Sequence, residues 1–182
     1  MLVRVPLVGR LRQSVARETM KLLADGMLGR LAKWLRILGY DTAYFPELDD
    51  DELVRLARAE GRVLLTRDEE LARRRGVRCF LVESDQVEGQ IAQVIAGLGL
   101  QAEQPFSRCP VCNAPLQEVE KSQVAGRVPP YVFRTQERFS LCPQCGRIYW
   151  RGTHWAKMCQ KIAQLRGRQE VGGDAAPHAE SR

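Results

Sequence analysis

Several features are absent from this sequence of 182 residues, and each absence excludes a class of protein. No run of about 18 apolar residues occurs, which argues against a helix that spans a membrane. The first residues lack a clean signal-peptide cleavage pattern, so we expect a cytosolic protein with no membrane partner. Neither a Walker A loop nor a GxGxxG motif is present, which removes two common phosphate-binding fingerprints.

Four of the six cysteines form two copies of one short knuckle, Cys109 with Cys112 and Cys142 with Cys145. Each CxxC unit places two thiolates on a tight turn, and the Asn or Gly that follows tolerates a left-handed backbone. The 29 residues between the knuckles exceed the commonest spacing, which predicts a zinc ribbon with a long hairpin around one structural Zn2+. A closed four-thiolate site stabilises a fold and does no chemistry, so any activity lies upstream.

Charge is distributed unevenly along the chain, whose formal net charge is +6. Residues 20–105 carry a small excess of acidic side chains, whereas residues 106–167 carry a large excess of basic ones. A basic segment attracts a polyanion, and an acidic one suits a divalent cation. Charged surfaces that are only solvated would explain the same composition equally well, so charge alone does not distinguish a binding segment from an ordinary surface.

Hydrophobic periodicity divides the chain into four segments. Residues 1–19 are basic and poorly patterned, residues 167–182 contain Gly, Ala and Pro, and we expect both to be disordered. Residues 20–100 form the first domain, with predicted strands at 22–24, 41–45, 63–66 and 77–82 and predicted helices at 28–38, from about 50, 68–75 and 91–98. This order predicts an α/β fold with a doubly wound parallel sheet. Residues 106–162 form the zinc ribbon and a C-terminal helix.

Acidic residues stand where predicted strands end or the next helix begins. Asp25 ends the first strand, Asp68 follows the third, and Asp50 opens the second helix. Ligands of doubly wound sheets bind beyond the carboxyl ends of the strands, so neighbouring first and third strands would place these carboxylates in one crevice. Oxygen ligands favour Mg2+ or Mn2+. Glu70 is the candidate for a fourth carboxylate ligand. Each aspartate also stands at a helix N-cap position, and capping is the alternative role for each.

Candidate substrate contacts surround these carboxylates. Arg30 and Arg36 lie in the first predicted helix, and Arg67 precedes Asp68. All three guanidinium groups are candidates to hold the phosphates of a bound polyanion. Thr66 ends the third strand, where its hydroxyl is a candidate to orient a metal-bound water. The ribbon interleaves arginines with aromatic residues, which suits single-stranded RNA, although aromatics that alternate in strands are more often packing. These residues are Arg134, Arg138, Arg147, Arg151, Tyr131, Phe133, Phe139, Tyr149 and Trp150.

These motifs resemble the Mut-seven C-terminal ribonuclease domain family, in which a PIN-like nuclease is fused to a four-cysteine zinc ribbon. The resemblance runs from about residue 20 to about residue 161 and is carried by residues 22–32, 34–36, 38–41, 64–68 and 149–155 and by both knuckles. It implies a PIN-like fold and metal-dependent RNA cleavage, with Asp25, Asp50, Asp68 and Glu70 at acidic positions. Glu70 departs from the pattern, because relatives often have Asp there.

The sequence therefore predicts a metal-dependent ribonuclease. Asp25, Asp50 and Asp68 would hold one or two Mg2+ or Mn2+ ions that activate water for phosphodiester hydrolysis. The expected partner is RNA, single-stranded or structured, which the ribbon would present to the carboxylates. The alternative is a non-catalytic RNA-binding or adaptor protein in which the acidic sheet is a vestige.

Overall fold

A parallel sheet and a small antiparallel sheet organise the chain, whose computed structural model describes residues 20–101, 103–152, 155–160 and 162–164. The predicted disorder of residues 1–19 and 167–182 lies outside the described residues. The parallel sheet contains β1 (Leu22–Ala24), β2 (Thr42–Tyr44), β3 (Val63–Thr66) and β4 (Cys79–Leu81) in the order β2-β1-β3-β4. The helices that connect and follow these strands are α1 (Gly29–Ile37), α2 (Asp50–Glu60), α3 (Glu69–Ala72) and α4 (Val87–Leu98).

Helices cover both faces of the parallel sheet. Because side chains alternate between the faces of a strand, Leu22 and Ala24 pack with residues of α1 and α4, whereas Leu23 packs with residues of α2 and α3. β3 repeats the pattern, with Leu65 on the first face and Leu64 on the second. The predicted α/β class with a doubly wound parallel sheet is confirmed, and β1 and β3 are neighbours, which is the condition that a shared acidic crevice requires.

Helix α3 is shorter than the predicted helix over residues 68–75. It covers Glu69–Ala72, and the chain then leaves the helical path. Arg58 of α2 donates hydrogen bonds to the carbonyl oxygens of Arg75 and Gly76, the latter at 2.9 Å, and Gly76 has a φ of 75°. These tertiary contacts fix the backbone after α3 in a turn, which local propensity did not reveal.

The antiparallel sheet forms the ribbon. It contains β5 (Gln117–Val119), β6 (Phe139–Leu141) and β7 (Ile148–Trp150), with β6 in the centre. Helix α5 (Pro130–Thr135) lies in the long segment between the knuckles and contains Tyr131 and Phe133. The prediction that these two aromatics alternate along a strand is therefore wrong. Proline at the first position of α5 favours a helix start, because its fixed φ suits that position.

The chain returns to the parallel sheet after the ribbon. Residues 155–160 and 162–164 are helical, and Ile162 is buried in the same cluster as the residues of α1 and α4. The ring of Trp155 lies 5.6 Å from that of Phe106, measured between centroids. The helix predicted at the end of the ribbon is thus present, and it packs on the first sheet. The domain limits of 20–100 and 106–162 stay a prediction.

No helix in the described ranges combines the length and the apolar character that a membrane crossing needs.

Candidate functional site

The four knuckle cysteines converge at one point. The sulfur atoms of Cys109 and Cys145 are 3.7 Å apart, those of Cys112 and Cys142 are 3.3 Å apart, and all four lie within 4.8 Å of one another. Four Zn–S bonds of about 2.3 Å in a tetrahedron place sulfur atoms about 3.8 Å apart. The cluster therefore fits a metal ion, and its all-sulfur donor set is typical of structural zinc.

Matching turns shape the two knuckles. Asn113 and Gly146 both adopt a left-handed backbone with a φ of 70°. Each donates its amide hydrogen to the carbonyl of the first cysteine of its knuckle, Asn113 to Cys109 at 3.0 Å and Gly146 to Cys142 at 2.9 Å. The left-handed turn predicted from the residue after each CxxC unit is confirmed.

Tyr149 supports the cluster from β7. Its hydroxyl lies 3.1 Å from the sulfur of Cys109, which is buried. Burial raises the pKa of Cys109, but hydrogen bonds from Tyr149 and from the amides of Cys112 and Val111 outweigh it and lower that pKa to about 6. Burial and the adjacent Cys109 raise the pKa of Tyr149 above its ordinary value, so the tyrosine stays protonated and donates. Sequence reasoning read Tyr149 as packing or RNA contact and missed this role.

Arg36 joins the first knuckle to the parallel sheet. It is 5% exposed, and its Nε donates to the carbonyl of Thr42 at 2.7 Å. Its Nη1 donates to the carbonyls of Val111 at 2.8 Å and Pro110 at 3.3 Å. Burial lowers the pKa of Arg36, although nearby Cys109 and other charges oppose that effect. Nε and Nη1 of Arg36 are thus engaged with backbone carbonyls, which favours a structural role over the predicted contact with an RNA phosphate.

Asn113 makes the second connection between knuckle and sheet. Its Oδ1 accepts the amide hydrogen of Thr42 at 3.0 Å, which satisfies a donor of the edge strand β2. Its Nδ2 donates to Asp41 at 2.8 Å, and Asp41 also pairs with Arg62 at 2.7 Å and Arg108 at 3.4 Å. Burial raises the pKa of Asp41, but hydrogen bonds from Arg62 and Asn113 lower it below its ordinary value. Asp41 thus stays ionised at this junction.

The junction and the acidic residues lie at opposite ends of the parallel sheet. Thr42 begins β2, and Arg62 donates to the carbonyl of Leu22, which begins β1. Asp25 and Asp68 follow the carboxyl ends of β1 and β3. Three strand residues, or about 10 Å, separate the two ends. The first knuckle is therefore bound at the amino ends of the strands.

At the carboxyl ends, the hydroxyl of Thr66 links Asp25 to Asp68. Thr66 is fully buried; its Oγ1 donates to Oδ2 of Asp25 and accepts the amide hydrogen of Asp68 at 2.9 Å. Asp25 is 5% exposed, and its Oδ1 accepts the amide hydrogen of Met27 at 2.9 Å. The role predicted for Thr66, to orient a metal-bound water, does not fit a hydroxyl that is buried and engaged on both sides. Thr66 orients Asp25 instead.

Both aspartates also act as N-caps. Asp25 caps the 3-10 turn of Gly26–Leu28 through its bond to Met27, and Oδ1 of Asp68 accepts the amide hydrogens of Glu70 at 2.7 Å and Leu71 at 3.0 Å. Oδ2 of Asp68 receives no hydrogen bond from the described part of the chain. A carboxylate has about four lone-pair positions, so capping leaves both groups able to accept a further ligand.

Asp50 and Glu70 lie at the same edge of the sheet and, unlike Asp25, are exposed to solvent. The N-cap of α2 is Asp49, whose side chain accepts the amide hydrogen of Glu52 at 2.8 Å. Asp50 follows it in the first turn, and Glu70 lies in the first turn of α3. Over the described ranges, the four cysteines are the one group of three or more candidate ligands whose ligand atoms lie within 4.8 Å of one another. No three of the four carboxylates form such a group.

Two of the predicted basic residues remain at the surface near these carboxylates. Arg67 is exposed, and its amide nitrogen lies 3.4 Å from Oδ2 of Asp25. Arg30 is exposed on α1. Neither side chain forms an ion pair with a described residue, in contrast to Arg73, which pairs with Glu69 at 2.5 Å. Both guanidinium groups are therefore accessible.

Fold and site together define an α/β protein with an acidic edge on its parallel sheet and a four-thiolate metal site in a ribbon. The sequence profile of the Mut7-C RNAse domain matches residues 20–162. The chain belongs to the Mut7-C RNAse domain family, as its motifs predicted. Comparisons with curated proteins and with solved structures gave no match. Family membership indicates a nuclease-type function with RNA as substrate or partner.

Proposed function

We propose that the protein is a metal-dependent ribonuclease with a PIN-like active site, which hydrolyses RNA phosphodiester bonds at the carboxyl edge of the parallel sheet. One observation carries the proposal: the buried hydroxyl of Thr66 joins Asp25 and Asp68 at the ends of two adjacent central strands. The carboxylate of Asp25 is thus pre-oriented by a buried side-chain donor in addition to its cap bond, as a catalytic site requires, and the same hydroxyl anchors the backbone amide of Asp68 beside it.

The donor set at this edge suits Mg2+ or Mn2+. All candidate ligands are oxygen atoms, and Asp68 keeps an oxygen without a hydrogen bond from the described chain. Mg2+ retains several water molecules and needs only one or two carboxylates, so Asp25, Asp50, Asp68 and Glu70 need not form a closed cluster to hold it. When bound, such an ion lowers the pKa of a water molecule and neutralises charge on the phosphate.

The protein's own residues then have distinct roles. Thr66 fixes the rotamer of Asp25, and the Glu70 and Leu71 amides fix that of Asp68. Asp50 and Glu70 are free to turn towards an ion or its water shell. Arg30 and Arg67 are placed to hold phosphates that flank the cleaved bond. On the ribbon, the exposed Arg134, Arg138, Arg147 and Arg151 offer a further surface for the RNA backbone.

A cytoplasmic location is part of this proposal. All six cysteines are free thiols, four of them in the metal cluster, which is typical of a reducing compartment. Zinc, with its four thiolates at the junction, has a structural role and takes no part in the hydrolysis.

The second candidate function is that of a non-catalytic RNA-binding or adaptor protein. It is favoured by the capping bonds of Asp25 and Asp68, because those bonds alone would explain why both positions are acidic. The two functions differ in whether the acidic edge binds a divalent cation.

Calorimetric titration of Mn2+ into zinc-loaded protein distinguishes them. We expect the wild type to bind Mn2+ and Asp68→Asn to bind it at least about tenfold more weakly, because a charged ligand is lost. Asn caps a helix as well as Asp does, so the variant should keep α3. Glu69→Gln is the matched control, since Glu69 is exposed beside Asp68 and pairs with Arg73. Equal Mn2+ affinity in the wild type and Asp68→Asn would support the adaptor instead.

A further inference from the structure

Phe45 lies beside Asp25 at the edge that carries the acidic residues. In the ladders of the sheet, Ala24 is opposite Tyr44 on one side and Leu65 on the other. The next residue of each strand path is Phe45, Asp25 and Thr66, so these three positions form one row across the strand ends. Neighbouring strands are about 4.8 Å apart, which makes Phe45 an immediate neighbour of Asp25.

Phe45 and Met27 present apolar surface to solvent at this point. Phe45 is 40% exposed and Met27 is 70% exposed. Neither is among the buried residues of the three apolar clusters or the partly buried residues that pack against them. Isolated exposed apolar residues are common, but these two occupy positions next to one buried carboxylate: Phe45 follows the strand paired with that of Asp25, and the Met27 amide donates to Asp25.

The two loops that carry these residues are held together. The hydroxyl of Tyr44 donates to the carbonyl of Gly26 at 3.1 Å. Gly29 lies so close beneath the Tyr44 ring that a Cβ atom there would be 2.7 Å from its hydroxyl oxygen, and a Cβ on Gly26 would lie 3.6 Å from the carbonyl oxygen of Pro46. The exposed side chains therefore stand on fixed backbone, which lowers the entropy cost of binding a ligand.

We propose that Phe45 and Met27 form a platform on which one nucleobase of a single-stranded RNA stacks next to the carboxylates. The inference rests on the proposed function and names the part of the substrate that the site recognises. A nucleobase fits because it is flat, uncharged and aromatic, whereas the adjacent carboxylates repel an anion. The attached phosphates have Arg30 and Arg67 as partners. Bases of a duplex are already stacked on each other, so the platform selects unpaired RNA.

The test measures the binding of fluorescein-labelled oligoadenylate by anisotropy, without added Mg2+, beside an abasic ribose-phosphate oligomer of equal length. We expect Phe45→Ala to bind oligoadenylate about 5- to 100-fold more weakly and the abasic oligomer as the wild type does, because only stacking is lost. Phe45→Tyr keeps the ring and should bind oligoadenylate within about twofold of the wild type. Met27→Ala should show a smaller loss in the same direction.

Unchanged oligoadenylate affinity in Phe45→Ala, or an equal loss for both oligomers, would overturn the platform. Because Phe45 is outside the apolar clusters, its variants are expected to fold, which thermal unfolding checks. Binding is measured without Mg2+, so a failure of the Mn2+ titration or of cleavage would contradict the ribonuclease without touching this result.

Discussion

Replacement of Asp25 by Asn is expected to reduce Mg2+-dependent RNA cleavage by at least about 100-fold, while the protein stays folded. Asp25 is the most buried of the acidic candidates, and Thr66 fixes its orientation, so the loss of its charge cannot be compensated by rotation. Asn keeps an oxygen that can accept the Met27 amide hydrogen, so the turn after β1 should survive. The measurement is the initial rate of cleavage of a labelled RNA, with thermal unfolding of the same samples.

Glu69→Gln removes a carboxylate at the same edge and serves as its control. Glu69 is exposed and forms an ion pair with Arg73, so the cleavage rate of the Glu69→Gln variant should stay within about twofold of that of the wild type. Asp25→Asn protein that cleaves RNA at a Mg2+-dependent rate close to that of the wild type would exclude Asp25 as a catalytic residue. A loss of rate that comes with unfolding would instead assign Asp25 a structural role.

Loss of zinc is expected to destabilise the parallel sheet as well as the ribbon. In Cys145→Ser the metal site loses one of its four thiolates, at the knuckle that does not contact β2. The first knuckle then loses its fixed turn, and Arg36 and the Thr42 amide lose their partners. Unsatisfied buried donors cost about 1–3 kcal/mol each, and more when charged. We expect the free energy of unfolding to fall by at least about 3 kcal/mol.

Hydrogen exchange at Thr42 reports this coupling directly. Its amide is bonded to Asn113, so exchange should become faster in Cys145→Ser and after zinc removal from the wild type. Cys79→Ser is the matched control, because Cys79 lies outside the cluster and serine can keep its hydrogen bond to the Leu71 carbonyl. Thr42 exchange that is the same with and without zinc would show that the metal stabilises the ribbon alone.

The parts of the fold that the sequence predicted best are those set by local pattern. β1 is an apolar run followed by Asp25, and β3 is an apolar run that ends in Thr66; their observed limits of Leu22–Ala24 and Val63–Thr66 equal the predicted ones. The knuckle turns follow from two Cys residues and a residue that tolerates positive φ. Each of these features depends on a few consecutive residues, which a single sequence contains in full.

Arg36 shows what local pattern cannot supply. An arginine in a helix next to an acidic motif suits a phosphate contact, and the same guanidinium group can equally bind backbone carbonyls. Its acceptor at Val111 is 75 positions away in the chain, and only the docking of the knuckle brings the two together. The Thr66 link between Asp25 and Asp68 was likewise not predictable, because it depends on the register of β1 and β3, which α1, β2 and α2 separate in the chain.

The most direct measurement of the central claim is the cleavage of defined RNAs by zinc-loaded wild-type protein, with and without Mg2+, followed by analysis of the product ends. Single-stranded, duplex and transfer RNAs would be compared, together with a substrate that carries a 2′-deoxyribose at the cleaved position. If water attacks the phosphate, cleavage requires Mg2+, tolerates the 2′-deoxy substitution and leaves no 2′,3′-cyclic phosphate. Intact RNA in Mg2+, or cleavage that proceeds without Mg2+ and ends in cyclic phosphate, would contradict the account.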